Sequence, residues 1–362
     1  MFRSERARRL SKRPVWLTEE WSDGAVTIEL LYSGSRVPVN EMNVALAEGL
    51  VDMGIHQPTG EPELFPITSY LGDLMFLHET TPFVGALQGV AAWTEVGLTE
   101  PAVRDEMRTN GIQPLMPLSF TGGAFLLCAG EPVTSLDDAG GKRIRVTSAA
   151  HKAEVEALGA ARVSLPVPEL YEGLQRGVID CVDANLLLAS VMGLTEVTDA
   201  WTIDSGVQFS GTPTSFGMTS ATWDGLDLPV RQLLWDRLDV FIEAHIQHSV
   251  FETYVDGLTM SQDGGLSFNE WEPDARTALE DHFESVLASH SLEAPAGLDG
   301  EAIVNTVNDA HAEWLERVGE LGFSENPSWA EFADWFQTNE PDLRVYVDAL
   351  AEKVLAPQRP AQ

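Results

Sequence analysis

The stretch from Lys142 to Val182 constrains the chain more than any other, because strand-like and helix-like patterns alternate there at short spacing with stop signals between them. Ile144-Arg145-Val146 reads as a strand, and Ser148 stands where an N-cap belongs before a helix carrying Val155 and Leu158 and closed by Gly159. Val163 to Leu165 is strand-like again, Pro168 to Gln175 is a short helix with Gly177 past its end, and Val178-Ile179-Asp180-Cys181-Val182 is a further strand. A β-α-β-α-β order of this kind builds parallel strands joined by right-handed crossovers, so the expected class is α/β.

Elsewhere the pattern is consistent with that class. Val26 to Tyr32 reads as a strand, and residues 40–50 as a short helix. From Pro229 to about Leu258 apolar residues recur at three- and four-residue steps, as on one long amphipathic helix. Further helices are expected at 274–288, 301–320 and 329–353.

Charge removes several functions. With 22 basic and 56 acidic residues in 362, the net charge of −34 opposes association with nucleic acid. Six of the basic residues (Arg3, Arg6, Arg8, Arg9, Lys12, Arg13) fall in the first 13 positions, so the remainder is more acidic still. Only four lysines occur, and such acidity fits a protein kept soluble in a salty medium. No run of about 18 apolar residues is available to span a bilayer. The two cysteines, Cys128 and Cys181, read as small buried apolar side chains, with pairing left open.

Catalytic motifs are missing: there is no HExxH, no GxSxG, no GxxxxGK[ST] and no GxGxxG with a suitable acid. No cofactor is expected. His245 and His248, three apart on the long helix, could face one metal, but no third ligand stands nearby and the expectation is two surface histidines.

The segments Gly141-Lys142-Arg143-Ile144-Arg145-Val146, Ala157-Leu158-Gly159-Ala160 and Leu165 to Asp180 together resemble the solute receptors of tripartite ATP-independent periplasmic (TRAP) transporters, the DctP family. That family carries a G-x-K-I-R-V strand, a helix ending A-x-G-A, and a segment P-x-x-E-x-Y-x-A-L-Q-x-G-x-V-D. Glu48 to Gly54, Pro82-Phe83 and Gly217 to Leu226 extend the similarity. It implies a two-lobed periplasmic-binding-protein-like (type II) fold with a hinge and a helical C-terminal wrap. Lobe I is expected from 1–122 plus 211–250, lobe II from 123–210 plus 251–322, and a helical extension from 323–362.

The resemblance also implies a function: an extracytoplasmic receptor, without catalytic activity, that closes on a small organic carboxylate and delivers it to a membrane permease of small and large subunits. A monomer in the periplasm is expected. An ATP-driven importer's binding protein, or a metal-assisted enzyme on the same fold, are the alternatives. Arg145 matches the family's carboxylate anchor, and its own setting agrees: a guanidinium between Ile144 and Val146 at the carboxyl end of a strand lies where open α/β sheets bind ligands.

The similarity carries further residues to the cleft. These are Ile55, His56 and Gln57 after the first-lobe strand, Val167 against the ligand, and Thr214 and Ser215 before the returning strand. Where the family has G-x-x-N-P this chain reads Cys181-Val182-Asp183-Ala184-Asn185, so Asn185 or Asp183 takes the asparagine's part. A second cleft arginine of some acid-sugar receptors would fall near Phe125 and is missing. The family also places an export segment, a central strand and a helix ahead of the Val26 strand; residues 1–20 supply none of these, which reads as a late start.

Overall fold

The structure, a computed structural model, describes residues 18–31, 35–146 and 148–361. Nine strands form among these residues: β1 (Met53–His56), β2 (Ile112–Ser119), β3 (Phe125–Cys128), β4 (Arg143–Arg145), β5 (Ala161–Val163), β6 (Cys181–Ala184), β7 (Ala200–Thr202), β8 (Thr214–Thr219) and β9 (Ser267–Asn269). They divide into two sheets. The first has the order β1-β8-β2, and the second β5-β4-β6-β3-β7-β9. Each sheet is the centre of one lobe, and the two-lobed α/β architecture expected from the sequence is present.

The stretch read as β-α-β-α-β folds that way because its stop signals act where they stand. Ser148 accepts from the His151 amide at the start of the helix Ala149–Ala157, and Gly159 and Gly177 take φ of +76° and +64° past their helices. β4 then pairs in parallel with both β5 and β6, Ile144 opposite Arg162 and Cys181. β3 runs against β6 and β7, so the chain enters β3 and leaves β7 at the same end of the strands.

The chain crosses between the sheets three times: two short segments, 120–124 from β2 to β3 and 203–213 from β7 to β8, make the first two crossings, and 220–266 returns from β8 to β9 through the long helix. The short segments touch midway, the Ala124 amide donating to Phe209 O at 3.2 Å. Gly122 sits in the first crossing with φ +98°, and a Cβ there would fall 1.9 Å from the Tyr254 hydroxyl, so only glycine fits.

The helix Val84–Thr99 is buried almost all round, which its apolar sequence on every face anticipates. β2 covers one side, and Gly300–Glu320 covers another, the Trp314 indole donating to Glu95 at 2.6 Å. Helices Arg344–Leu350 and Ala351–Leu355 close over the same core. Tyr346 donates to Leu87 O at 2.7 Å, and Lys353 bridges Glu95 and Glu313 at 2.7 Å each.

Three expectations are corrected. Val26 to Leu31 forms no strand, since no neighbouring strand offers it a ladder among the described residues, and Tyr32 lies outside them. The single helix expected over 329–353 is broken after Asn339, where Glu340 takes φ +39° before Pro341. The long helix from Pro229 is stepped: it pauses at Arg237 and opens into a π-helical turn over His245–Phe251.

The cysteines also depart from their favoured reading. Cys128 and Cys181 are opposite residues on β3 and β6, both buried, and they are joined as a disulfide.

Candidate functional site

Arg145 ends β4 opposite Val163 and Val182, so its side chain shares the face of those residues and of Leu127. It is only 4% exposed. Its Nε donates to Leu165 O at 3.1 Å, while Nη1 is buried with no partner among the described residues. Burial weakens the guanidinium's hold on its proton, Asp183 opposing this, yet an arginine stays charged. A buried cationic donor left open is costly, and a carboxylate is the group that satisfies it best.

Asn185 lies three residues beyond the β4–β6 pairing, at the same end of the sheet. Its Oδ1 caps the helix Leu186–Met192 by accepting from Leu188 N, and its Nδ2 donates to Thr121 Oγ1 at 3.1 Å. It therefore ties lobe II to the first crossing segment. Val167, 38% exposed, begins a 3-10 turn two residues past the Leu165 carbonyl that Arg145 holds.

Asp183 does not stand beside Arg145. It pairs with Leu126 and so lies on the opposite face of the sheet, where its carboxylate meets His151 Nδ1. Burial alone would lower the His151 pKa, but Asp183 and Glu154 reverse this and carry it up to about 9. The imidazolium's other nitrogen donates to Ser210 O at 2.7 Å. Asp183, suggested by sequence as a ligand contact, is thus occupied as the counter-ion of His151. Sequence reasoning had passed over His151, Glu154, Ser210 and Thr121; the one available signal was His151 in the turn capped by Ser148, directly after the Arg145 strand.

On the lobe I side, β1 pairs with β8 so that His56 stands opposite Ser215, both toward the crossing segments. Alternation then separates the candidates. Ile55 (54% exposed) and Gln57 are open to solvent. His56 points inward, where its Nδ1 meets Asn43 Oδ1 at 2.8 Å and its ring neighbours Phe65. Ser215 is likewise turned into the lobe, donating to Pro117 O. Thr214, half-buried, pairs with Ser119 at the end of the ladder. The geometry therefore brings Arg145, Asn185, Val167 and Thr214 to the strand ends, and assigns His56 and Ser215 to packing.

Burial pushes His56 down to about 4, so it is neutral in the folded chain at neutral pH. Between pH 6.5 and about 4 the unfolded chain takes a proton that the folded one refuses, and stability falls as the pH drops. His78 and His311, also lowered to about 4, add to the same trend. His56→Gln is expected to flatten urea-derived stability against pH in this window by about 1 kcal/mol per unit. An unchanged slope would show that His56 is charged in the folded state.

His245 and His248 are not surface residues of one face. His245 Nε2 lies 2.9 Å from Phe120 O and 3.1 Å from Ser119 Oγ, and His248 pairs with Glu252 at 2.8 Å. Among the described residues no group of three or more His, Cys, Asp or Glu is placed to hold a metal ion.

Comparison with known proteins bears on the family and the fold. TeaA, the ectoine-binding periplasmic protein of Halomonas elongata, is 32% identical over 194 residues, 49% of this chain and 56% of that protein's length. The C4-dicarboxylate-binding periplasmic protein DctP of Rhodobacter capsulatus is 24% identical over 313 residues, 84% of this chain and 80% of that one. Among solved structures, a marine metagenome TRAP solute binding protein specific for aromatic acid ligands superposes with a TM-score of 0.72 at 20% identity, covering 84% of this chain and 94% of that one. At that identity the likeness is one of fold. The family model for DctP, bacterial extracellular solute-binding protein family 7, matches residues 15–293, and the chain belongs to that family.

Proposed function

We propose that this chain is the extracytoplasmic receptor of a TRAP transporter, binding a small organic carboxylate between its lobes with Arg145 as the anchor. The observation that carries the reading is the buried Arg145 guanidinium, whose Nη1 has no partner among the described residues at the strand end facing the crossing segments. Asn185 and Val167, near the same end of lobe II, are proposed as neighbours of Arg145 in the contact surface, with Thr214 as the contribution of lobe I. Phe125 where a second arginine would fall favours a ligand held at one carboxylate, with an apolar or neutral remainder. The relatives' names include acid ligands: C4-dicarboxylates for one relative and aromatic acids for a structural neighbour, the latter matching the single-carboxylate reading.

The receptor acts as a monomer in the periplasm and hands its ligand to a permease of small and large subunits. A buried disulfide fits an oxidising compartment of that kind. Ligand binding favours closure only through its higher affinity for the closed state.

Thermal-shift screening against keto acids, dicarboxylates, sugar acids and amino-acid derivatives tests the reading. A ligand at 100 times its Kd adds about 2.7 kcal/mol, which for a chain of this size raises Tm by about 3–4 °C. At least one acid is expected to do so. A shift given only by neutral sugars or amines would overturn the carboxylate assignment.

A further inference from the structure

We infer that His151 is a positioning residue that fixes the pivot of lobe motion, holding the second crossing segment at Ser210 against the ligand-binding sheet. The helix Ala149–Ala157 belongs to lobe II, and from it two side chains reach Ser210. His151 donates to Ser210 O, and Glu154 accepts from the Ser210 amide at 3.2 and 3.3 Å and from its hydroxyl. The next residue is held by the other lobe, since the Gly211 amide donates to Met75 O at 3.3 Å. The peptide joining Ser210 to Gly211 thus lies between an anchor in each lobe, and Thr80 of lobe I, donating to Ser205 O and accepting from Gln208 Nε2, ties the same segment upstream and turns with it.

The anchor on the lobe II side is electrostatic. His151, Glu154, Asp183 and Ser210 are all buried, so each polar group depends on the others. The charged groups that face His151 are Asp183 on β6, Glu154 on its own helix and Asp73 after the lobe I helix Pro66–Gly72, with Arg145 acting through Asp183. Loss of the His151 proton leaves Asp183 without its partner and Ser210 O with a weaker one, which loosens the crossing.

The sign follows from the raised pKa. A histidine held at about 9 contributes fully below its ordinary value of 6.5 and loses that contribution as the pH rises through about 9. Burial raises the Glu154 pKa, while His151 and the Ser210 hydrogen bonds oppose that rise.

Amide hydrogen exchange of the ligand-free protein, corrected for the intrinsic rate, tests the inference. Protection of residues 207–212 should fall at least about tenfold between pH 7 and 9 and level off above that, while β2 (112–119) keeps its protection. His151→Gln should show the lower protection already at pH 7 and no further change to pH 10. Protection of 207–212 that ignores pH, or that falls in step with β2, would overturn the role. Should His151→Gln fail to fold, the wild-type profile alone decides between these outcomes.

Discussion

Arg145→Ala is expected to bind its acid ligand at least about 100-fold more weakly than the wild type while keeping its fold. The guanidinium is buried, and its Nη1 has no partner among the described residues, so in the complex it meets the carboxylate away from water. Removing one partner of a buried, charge-assisted pair costs about 2–5 kcal/mol, much of it from the ligand charge left unpaired, and each 1.4 kcal/mol is tenfold in affinity. Among the described residues the fold loses the bond from Nε to Leu165 O and the attraction to Asp183, at the end of a strand whose partners β5 and β6 remain. Arg145→Lys should recover only part of the affinity, because an ammonium on a flexible stem cannot offer two parallel donors. Calorimetric titration of the three proteins with an acid found by thermal shift gives the comparison, and circular dichroism verifies the fold.

Cys128→Ser with Cys181→Ser is expected to give the largest loss of stability of any conservative change. The bond closes a segment with a sequence separation of 53 residues. Chain-entropy reasoning assigns such a loop about 4 kcal/mol, or roughly 5 °C in Tm for a chain of this length. Both sulfurs lie in the lobe II core beside Leu126 and Ile144, so the serine hydroxyls would also be buried. Denaturation of the native protein with and without reductant checks the effect: a midpoint that does not move on reduction would mean the bond contributes nothing to the folded state.

How much of this was legible in the sequence depends on the range of the interactions concerned. The segment from β4 to β6 was readable because its signals are local: Ser148 caps the helix three residues on, and Gly159 and Gly177 take the left-handed turns that end their helices. Arg145 was readable for the same reason, its position at a strand end being a matter of neighbouring residues. The start of the long helix was legible, but not its end at Asp263, its step at Arg237 or its π-turn, which answer to packing rather than to periodicity.

Long-range partnerships were not legible. Nothing near Cys128 announces Cys181, and nothing near His151 announces Ser210, 59 residues away, so a disulfide went unread and Asp183 was offered to the ligand instead of to an imidazolium. His56 and Gln57 were named together, yet strand alternation turns one inward to Asn43 and leaves the other exposed. A shift of one residue decides such a case, and periodicity over a four-residue strand is too short to fix it.

The most direct measurement is calorimetric titration of the wild-type protein with the acid selected by thermal shift and with the neutral amide of the same skeleton. The amide keeps the shape and loses the charge, so an anchor at Arg145 predicts tight binding of the acid and at least about 100-fold weaker binding of the amide. Equal affinity for the two would contradict the assignment of this cleft to a carboxylate.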